Sequence, residues 1–424
     1  MIDNESGAQV ALRERGVLIV EQGGRGGVAD YTELLAAALT RLGVAVTVAT
    51  AQDHLSSPAP GVRIETVFAY VRGHSPPARL IRRAGLGFVA NGLRFLGSMP
   101  KLVAVSRRHA VTHLQGFETP SLGLIATLLL RASGATVVYT AHNTFERHRR
   151  RLDSARIYPA LARQTIVHTE ADRHRVSRPP TVIPHGTYRP LAEAAAPCDP
   201  DEAREGLGLP VDGLVVLLFG VLRPDKGLGD VLDAAATASA WHVLIAGEDH
   251  GGLADAAQRL HRAPLAGRVT VREGFQPIDE VGRLFAAADL VALPYRRASQ
   301  SGVLHLAYGF GRPVVAYPVG GLAEAVVDGD TGWVCREASP RALAEVLRSA
   351  AQDGQAELRR RGAEGRRWAE REFDWDRIAR ETEEVYLRAL GGGSPPRVGV
   401  TSAAAANGAD GDPRSPVGSP PRRR

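Results

Sequence analysis

The stretch 16-GVLIVEQGGRGGVADYTELLAAALTRLGVAVTVAT-50 decides how this chain is read. GVLIVEQ (16–22) is a short apolar run rich in β-branched residues, the pattern of a parallel strand buried on both faces. A Gly-rich loop follows, then apolar residues at helical spacing until Gly43 stops them, then a second strand in VAVTVAT (44–50). Strand, Gly loop, helix and strand in that order open a doubly wound α/β sheet. VTHLQ, TVVYTAHN, TIVHTE and TVIPHG continue the series of short apolar runs.

A second series begins after a small, Pro-rich and charged crossing. LVVLLFG (214–220), WHVLIAGE (241–248), RVTVREGF (268–275), DLVALPY (289–295) and RPVVAYP (312–318) alternate with helical stretches. The expected organisation is a flexible N-terminus (1–14), a first Rossmann-like unit (15–190), a linker (191–205) and a second Rossmann-like unit (206–372). An amphipathic helix (373–390) then crosses back onto the first unit. From 391 to 424 the chain has too few apolar residues to fold and is expected to be disordered. Two such units facing one another place a cleft at the carboxyl ends of both sheets.

Composition agrees with this class. At 424 residues the chain is long for one core and suits two. It is 44% hydrophobic and 23% charged, as soluble globular proteins are, and no apolar run approaches the roughly 18 residues that span a membrane. MIDNESGAQVALRER is too acidic and polar for a secretory signal. Cys198 and Cys335 form no CxxC and no zinc pattern, so both are expected as reduced thiols in the cytoplasm.

Charge is unevenly spread. Residues 1–190 carry 24 Lys and Arg against 13 Asp and Glu, and the rest carries 28 against 33. No acid falls between Glu65 and Glu118, where Arg72, Arg79, Arg82, Arg83, Arg94, Lys101, Arg107 and Arg108 lie. This basic 72–108 region is expected to concentrate anions: an anionic or lipid-linked acceptor, or a peripheral contact with the inner membrane face. The stretch 78–97 fits a buried helix with exposed arginines better than a membrane-surface helix, because two glycines interrupt its pattern. No nucleic-acid motif or aromatic interleaving is present.

Lysine is scarce: Lys101 and Lys226 stand against fifty arginines. Lys226 lies in FGVLRPDKGL, a strand, turn and helix start. A helix N-terminus offers unpaired N–H groups and partial positive charge to phosphate. Lys226 adds a compact cation able to reach a diphosphate, and Arg223 a fork of donors. SQSG (299–302) supplies amides and hydroxyls at another helix start on the same sheet edge, through Gln300, Ser301, Gly302 and Val303. Glu324, in a third turn, is placed to accept from a ribose or sugar hydroxyl.

Other patterns compete. Gly24-Arg25-Gly26-Gly27-Val28-Ala29 fits GxGxxA and Asp53 follows the second strand, as in a nicotinamide-binding unit. That alternative, an oxidoreductase using Gly24, Gly26 and Asp53, leaves the phosphate-ready turns of the second unit unexplained. Asp328-Gly329-Asp330 has the DxD form of a metal site, but its Gly-punctuated context reads as a turn. No metal and no cofactor are expected.

Taken together, GGVADYTELLAAAL, YTAHNTF, VIPHG, FGVLRPDKGL, GEDHGG, EGFQP, FAAADLVALPY, SGVLHLAYGFGRPVVAYPVGGLAE and DGDTGWV resemble the large family four of retaining GT-B glycosyltransferases. The resemblance runs in order over about residues 15 to 390. It implies an α/β GT-B fold, a nucleoside-diphosphate sugar held by the second unit, a hydroxyl acceptor held by the first, and transfer with retention and no obligatory metal. UDP-sugar is the first expectation and GDP-sugar the next. It implies that Lys226 pairs with the donor diphosphate, with Gly26, Gly27, Gly247 and Phe275 also at the donor. His142 is expected near the reacting sugar, and Gln115, Glu118 and His185 beside the acceptor. The sequence departs from the family where two glutamates are usual, holding Ala298 and Leu306, and where an arginine is usual, holding Val221. Gln300, Ser301 and the amides of Gly302 and Val303 are expected to substitute. The alternative is a catalytically inactive nucleotide-sugar binder.

Overall fold

The computed structural model describes residues 2–55, 58–70, 87–117, 119–144, 153–238 and 241–391. Seven strands form the first sheet: β1 (Val17–Val20), β2 (Val46–Ala51), β3 (Arg63–Phe68), β4 (Val111–Leu114), β5 (Val137–Thr140), β6 (Gln164–Val167) and β7 (Thr181–Val182). They pair in parallel in the order β3-β2-β1-β4-β5-β6-β7. Six more form the second: β8 (Leu214–Phe219), β9 (Trp241–Gly247), β10 (Val269–Glu273), β11 (Leu290–Leu293), β12 (Val314–Ala316) and β13 (Gly332–Val334). Their order, β10-β9-β8-β11-β12-β13, repeats the winding of the first sheet, again all parallel. The unbroken apolar runs of the sequence are what such strands require, since helices cover both faces.

Each sheet reverses direction beside its first strand, between β1 and β4 and between β8 and β11. These switch points are where an open α/β sheet binds ligands, at its carboxyl edge. The helix Gly27–Arg41 starts at that edge in the first unit, with Gly26 (φ 80°) as its N-cap. In the second unit the helices Leu228–Ala235 and Gly302–Gly309 do so.

Two expected boundaries move. The first 14 residues, expected to be flexible, are a helix, Ile2–Arg15. It has a reason to form: Leu12 is fully buried in the core that contains the last helix, and Arg13 reaches Glu383 there at 2.8 Å. The expected linker 191–205 also contains a docked helix, Pro200–Leu207, capped by Asp199. Its Arg204 is buried and donates to Asp289 (2.7 Å) and to the Ala287 carbonyl (3.0 Å), while Ala203 and Leu207 join the second unit's core.

The last helix, Trp375–Gly391, buries Trp375, Ile378, Ala379, Val385, Tyr386 and Ala389 against the first unit. Trp375 also donates from its indole to the Thr187 carbonyl at 2.7 Å, which fixes the return crossing. The helix Gly87–Gly97 departs from the expectation of a buried segment. Phe95 alone is buried, stacked on Phe68, while Phe88, Val89, Leu93 and Leu96 are exposed. Residues 71–86, with Arg72, Arg79, Arg82 and Arg83, lie outside the described residues, as do Glu118 and the tail after Gly391.

Candidate active site in the interunit cleft

The turn after β8 is built around Gly227. Its φ is 72°, and a Cβ there would stand 2.1 Å from the Pro294 carbonyl, so only glycine lets the turn lie against the end of β11. That proximity sets Lys226 with its Nζ 3.4 Å from the centre of the Tyr295 ring, a cation–π contact. Tyr295 is buried, and burial pushes its phenol up to about 12. Its hydroxyl lies 3.5 Å from Ser301 Oγ, and Ser301 caps the helix Gly302–Gly309 by accepting from Leu304 N. The two phosphate-ready features of the second unit are thereby one place.

Arg223 differs from expectation. Its Nε and Nη2 donate to the two carboxylate oxygens of Asp225, at 2.8 and 3.0 Å, so its fork is spent within the turn. Burial raises the Asp225 carboxyl, but the Arg223 hydrogen bond and the charges of Arg223 and Lys226 outweigh this and hold it below its ordinary value. Asp225 therefore stays ionised and offsets one of the two cations.

Gln300 follows with its side-chain oxygen buried and unpartnered. Gly302 and Val303 start the helix, where amides lack intrahelical partners. Ala298 and Leu306 are buried in the apolar core, which makes that wall of the site carbon and not carboxylate. Gly247 ends β9, and a Cβ on it would meet the Gly220 carbonyl at 1.8 Å, so its role is the close approach of two strands. Phe275 is exposed just past β10.

In the first unit the histidines gather. His113 on β4, His142 after β5, His168 after β6 and His185 after β7 stand at the carboxyl edge of successive strands. His168 Nδ1 is 3.0 Å from the Ile183 carbonyl and its Nε2 is 3.1 Å from His142 Nδ1. A carbonyl only accepts, so His168 carries its proton on Nδ1, and His142 donates from Nδ1 to the remaining lone pair. His142 Nε2 then accepts, yet the atom 2.7 Å away is Gln115 Oε1, so this tautomer requires the Gln115 amide to exchange its oxygen and NH2. Both nitrogens of His142 are thus engaged. A sugar hydroxyl reaches it only by replacing Gln115. Burial, with the neighbouring rings, keeps His142 and His185 well below the ordinary histidine value and pushes His113 down to about 3. Tyr31 braces the group, its ring centre 4.7 to 5.2 Å from His142, His168 and His185.

The units touch across this cleft. His185 stacks on His305 of the second unit at 4.8 Å, and Thr144 N donates to Ser299 Oγ at 2.9 Å. Glu324, expected at a ribose, accepts instead from Glu170 N and Ala171 N of the first unit, both at 3.1 Å. It would have to leave them to meet a donor. Tyr188 in the crossing donates to the Gly27 carbonyl at 2.7 Å and packs on Gly302.

The Gly-rich loop is occupied by an internal anion. Buried Glu21 accepts from Gly23 N and Gly24 N, each at 2.7 Å, and Arg25 takes Asp53 at 2.7 Å. A nicotinamide cofactor would need those amides and that acid, so this geometry disfavours the dinucleotide alternative. Gly26 and Gly27 remain exposed at the helix start. Asp328, of the DxD pattern, accepts from Val334 N at 2.9 Å within a turn whose Gly329 has φ 85°.

Sequence reasoning missed Glu21, His113, His168, Tyr295 and His305. The histidines had a visible signal, one at the end of each successive apolar run. It missed Asp30 as well, in the first turn after the Gly loop, where burial with Glu33 and Glu21 nearby raises the carboxyl to about 7.

Two doubly wound units joined edge to edge with a cleft between define the GT-B class. Residues 213–353 match the family model for glycosyl transferases group 1, and residues 25–187 match that for glycosyltransferase family 4. The chain belongs to the GT-B glycosyltransferases of this family-four type. It is 33% identical over 245 residues to a D-inositol 3-phosphate glycosyltransferase of Nocardioides sp., covering 54% of this chain and 52% of that one. It is 41% identical over 140 residues to that of Mycobacterium tuberculosis strain H37Ra, covering 32% and 29%. The chain spans about half or less of the length of these curated relatives. In fold it is similar to Anabaena HepE in complex with UDP-glucose (TM-score 0.66, 21% identity, 87% of this chain and 98% of that). It is also similar to the catalytic domain of starch synthase IV from Arabidopsis thaliana (TM-score 0.69, 14% identity, 88% and 99%).

Proposed function

We propose that the cleft transfers a sugar from a nucleoside-diphosphate donor, UDP-sugar first and GDP-sugar next, to a hydroxyl acceptor. Transfer retains the anomeric configuration and needs no metal. The observation that carries this reading is the joining of Lys226, Tyr295 and the Ser301-capped helix start at one sheet edge. As the donor bond breaks, the diphosphate gains negative charge and the sugar gains oxocarbenium character. Positioned positive charge lowers that barrier without a protein nucleophile. Lys226 and the amides of Gly302 and Val303 supply it, and Gln300 offers its unpartnered oxygen to a donor hydroxyl. Exposed Phe275 is suited to stack on the base.

The relatives named D-inositol 3-phosphate glycosyltransferase support a phosphorylated hydroxyl acceptor, met by Gln115, His142 and His185 in the basic first unit. No helix of the described residues is long and apolar enough to cross a membrane. The exposed apolar residues of Gly87–Gly97, within an acid-free basic stretch, favour a peripheral contact with the inner, anionic membrane face from the cytoplasm.

The buried Ala298 and Leu306 support one second reading, an inactive sugar-nucleotide binder. Proton NMR of the chain with UDP-glucose, inositol 3-phosphate and excess EDTA separates the two. A new α-anomeric signal supports retaining, metal-independent transfer. A β signal contradicts retention, a signal that appears only when magnesium is restored contradicts metal independence, and bound but unconsumed donor favours the binder.

A further inference from the structure

The first unit has a second cationic feature on the side away from the cleft. A recess of about 300 Å³ opens at the amino ends of β6 and β7, lined by Arg131, Arg163, Gln164, Arg178 and Arg388. Gln164 is the first residue of β6, and Arg388 donates to Thr181, the first of β7, at 3.4 Å. Parallel strands put these amino ends opposite the carboxyl edge that faces the cleft, so the recess is remote from Lys226 and His142.

Its charge is barely compensated. Among the described residues Glu384 is the one carboxylate within ion-pair reach of the four arginines. It stands 3.5 Å from Arg388 and its side chain is 68% exposed, a weak and screened pairing. Arg131 and Arg178 donate only to the backbone carbonyls of Leu161 and Ala162. The Arg388 Nε is buried with no hydrogen-bond partner, and Arg163 makes no side-chain hydrogen bond or ion pair among the described residues. Four guanidinium groups repel one another around a common space, and a buried N–H without an acceptor costs free energy. One doubly charged oxyanion relieves both, and planar guanidinium forks match phosphate oxygens two at a time.

We propose that this recess is a phosphate-binding site, independent of the sugar-transfer cleft. Two sources present phosphate oxygens to the guanidinium forks, a soluble phosphate with up to two charges and the singly charged phosphodiester of a phospholipid headgroup. The second gains weight from exposed Ile125, Leu128 and Leu129, on the helix Pro120–Ala132 that carries Arg131 in its last turn.

The test titrates inorganic phosphate into the full chain by calorimetry and measures co-sedimentation with phosphatidylcholine vesicles with and without phosphatidylglycerol. The variants are Arg388→Gln and Arg163→Gln, the latter exposed and without a contact to lose. Lys226→Ala serves as the control for phosphate entering the cleft. If the source is soluble, phosphate binding weakens about tenfold in each recess variant, the effect of one charge-assisted hydrogen bond, and persists in Lys226→Ala. If the source is lipid, free phosphate gives no heat while retention on phosphatidylglycerol vesicles falls in both recess variants. Recess variants that match the wild type in both assays overturn the proposal, as does phosphate binding lost only in Lys226→Ala.

Discussion

Lys226 is one of two lysines among fifty arginines, and the structure offers a physical reason for the choice. A compact ammonium stacks over Tyr295 and can rotate to a diphosphate, while an arginine fork at that point would compete for Asp225 as Arg223 does. The same geometry yields a prediction about Asp225. Asp225→Asn removes the partner that ties up Arg223 and one negative charge beside Lys226, so under the proposed function UDP affinity rises severalfold at low salt, with a steeper salt dependence. Weaker UDP binding in that variant would mean that the ion pair shapes the turn and does not restrain it. The strand, turn and helix around Lys226 were legible because their apolar run and Gly-Pro punctuation are local. Glu21 and Glu324 were not, because their roles come from amides brought to them by folding: Gly23 and Gly24 in a local loop, Glu170 and Ala171 from the other unit.

At the scale of elements, the alternating apolar runs foretold both sheets, and the stop at Gly43 the end of a helix, because period and punctuation are local properties. The helices Ile2–Arg15 and Pro200–Leu207 escaped that logic. Each has a largely polar sequence and is held by a partner distant in sequence: Glu383 for the first, Asp289 for the second. Arg204→Ala leaves Asp289 buried beside Val215 N and Gln355 without its cation. The expected loss is about 3–5 kcal/mol of stability in denaturant unfolding. A loss below about 1 kcal/mol would show the helix to be a loosely attached linker after all. Gly227→Ala tests the Lys226 turn in the same way. With φ at 72° and the Pro294 carbonyl in the way, it should destabilise by roughly 1–3 kcal/mol and weaken UDP binding together.

The whole molecule has a pH dependence built into its cleft. Five rings, His113, His142, His168, His185 and His305, are held neutral by burial, His113 and His305 down to about 3 against an ordinary 6.5. Below 6.5 the unfolded chain binds protons that the folded chain refuses, so stability falls as pH falls. His113 and His305 each contribute up to about 1.4 kcal/mol per pH unit until near pH 3. Asp30 acts in the opposite sense. Raised from 3.8 to about 7, it holds a proton in the folded state that the unfolded state lacks, and so adds stability as pH falls through that window. Glu324, also raised by burial, acts with Asp30, while His109 and His242, also lowered by burial, act with the five rings; the balance is a net loss, visible as urea midpoints that decline from about pH 7 to pH 5. A flat midpoint would place these rings in water. Because His185 and His305 come from different units and stack, protonation should also loosen the contact between the units.

In the proposed function the second unit holds a nucleoside diphosphate through the Lys226 turn. Calorimetric titration of UDP, GDP and NADH into the wild type and into Lys226→Ala tests it most directly. UDP or GDP should bind the wild type, and the variant should lose about 1.5–3 kcal/mol of that affinity, the worth of a charge-assisted contact. NADH binding that is indifferent to the lysine, with no heat from either nucleoside diphosphate, would contradict it and move the site to the Gly24–Asp53 loop.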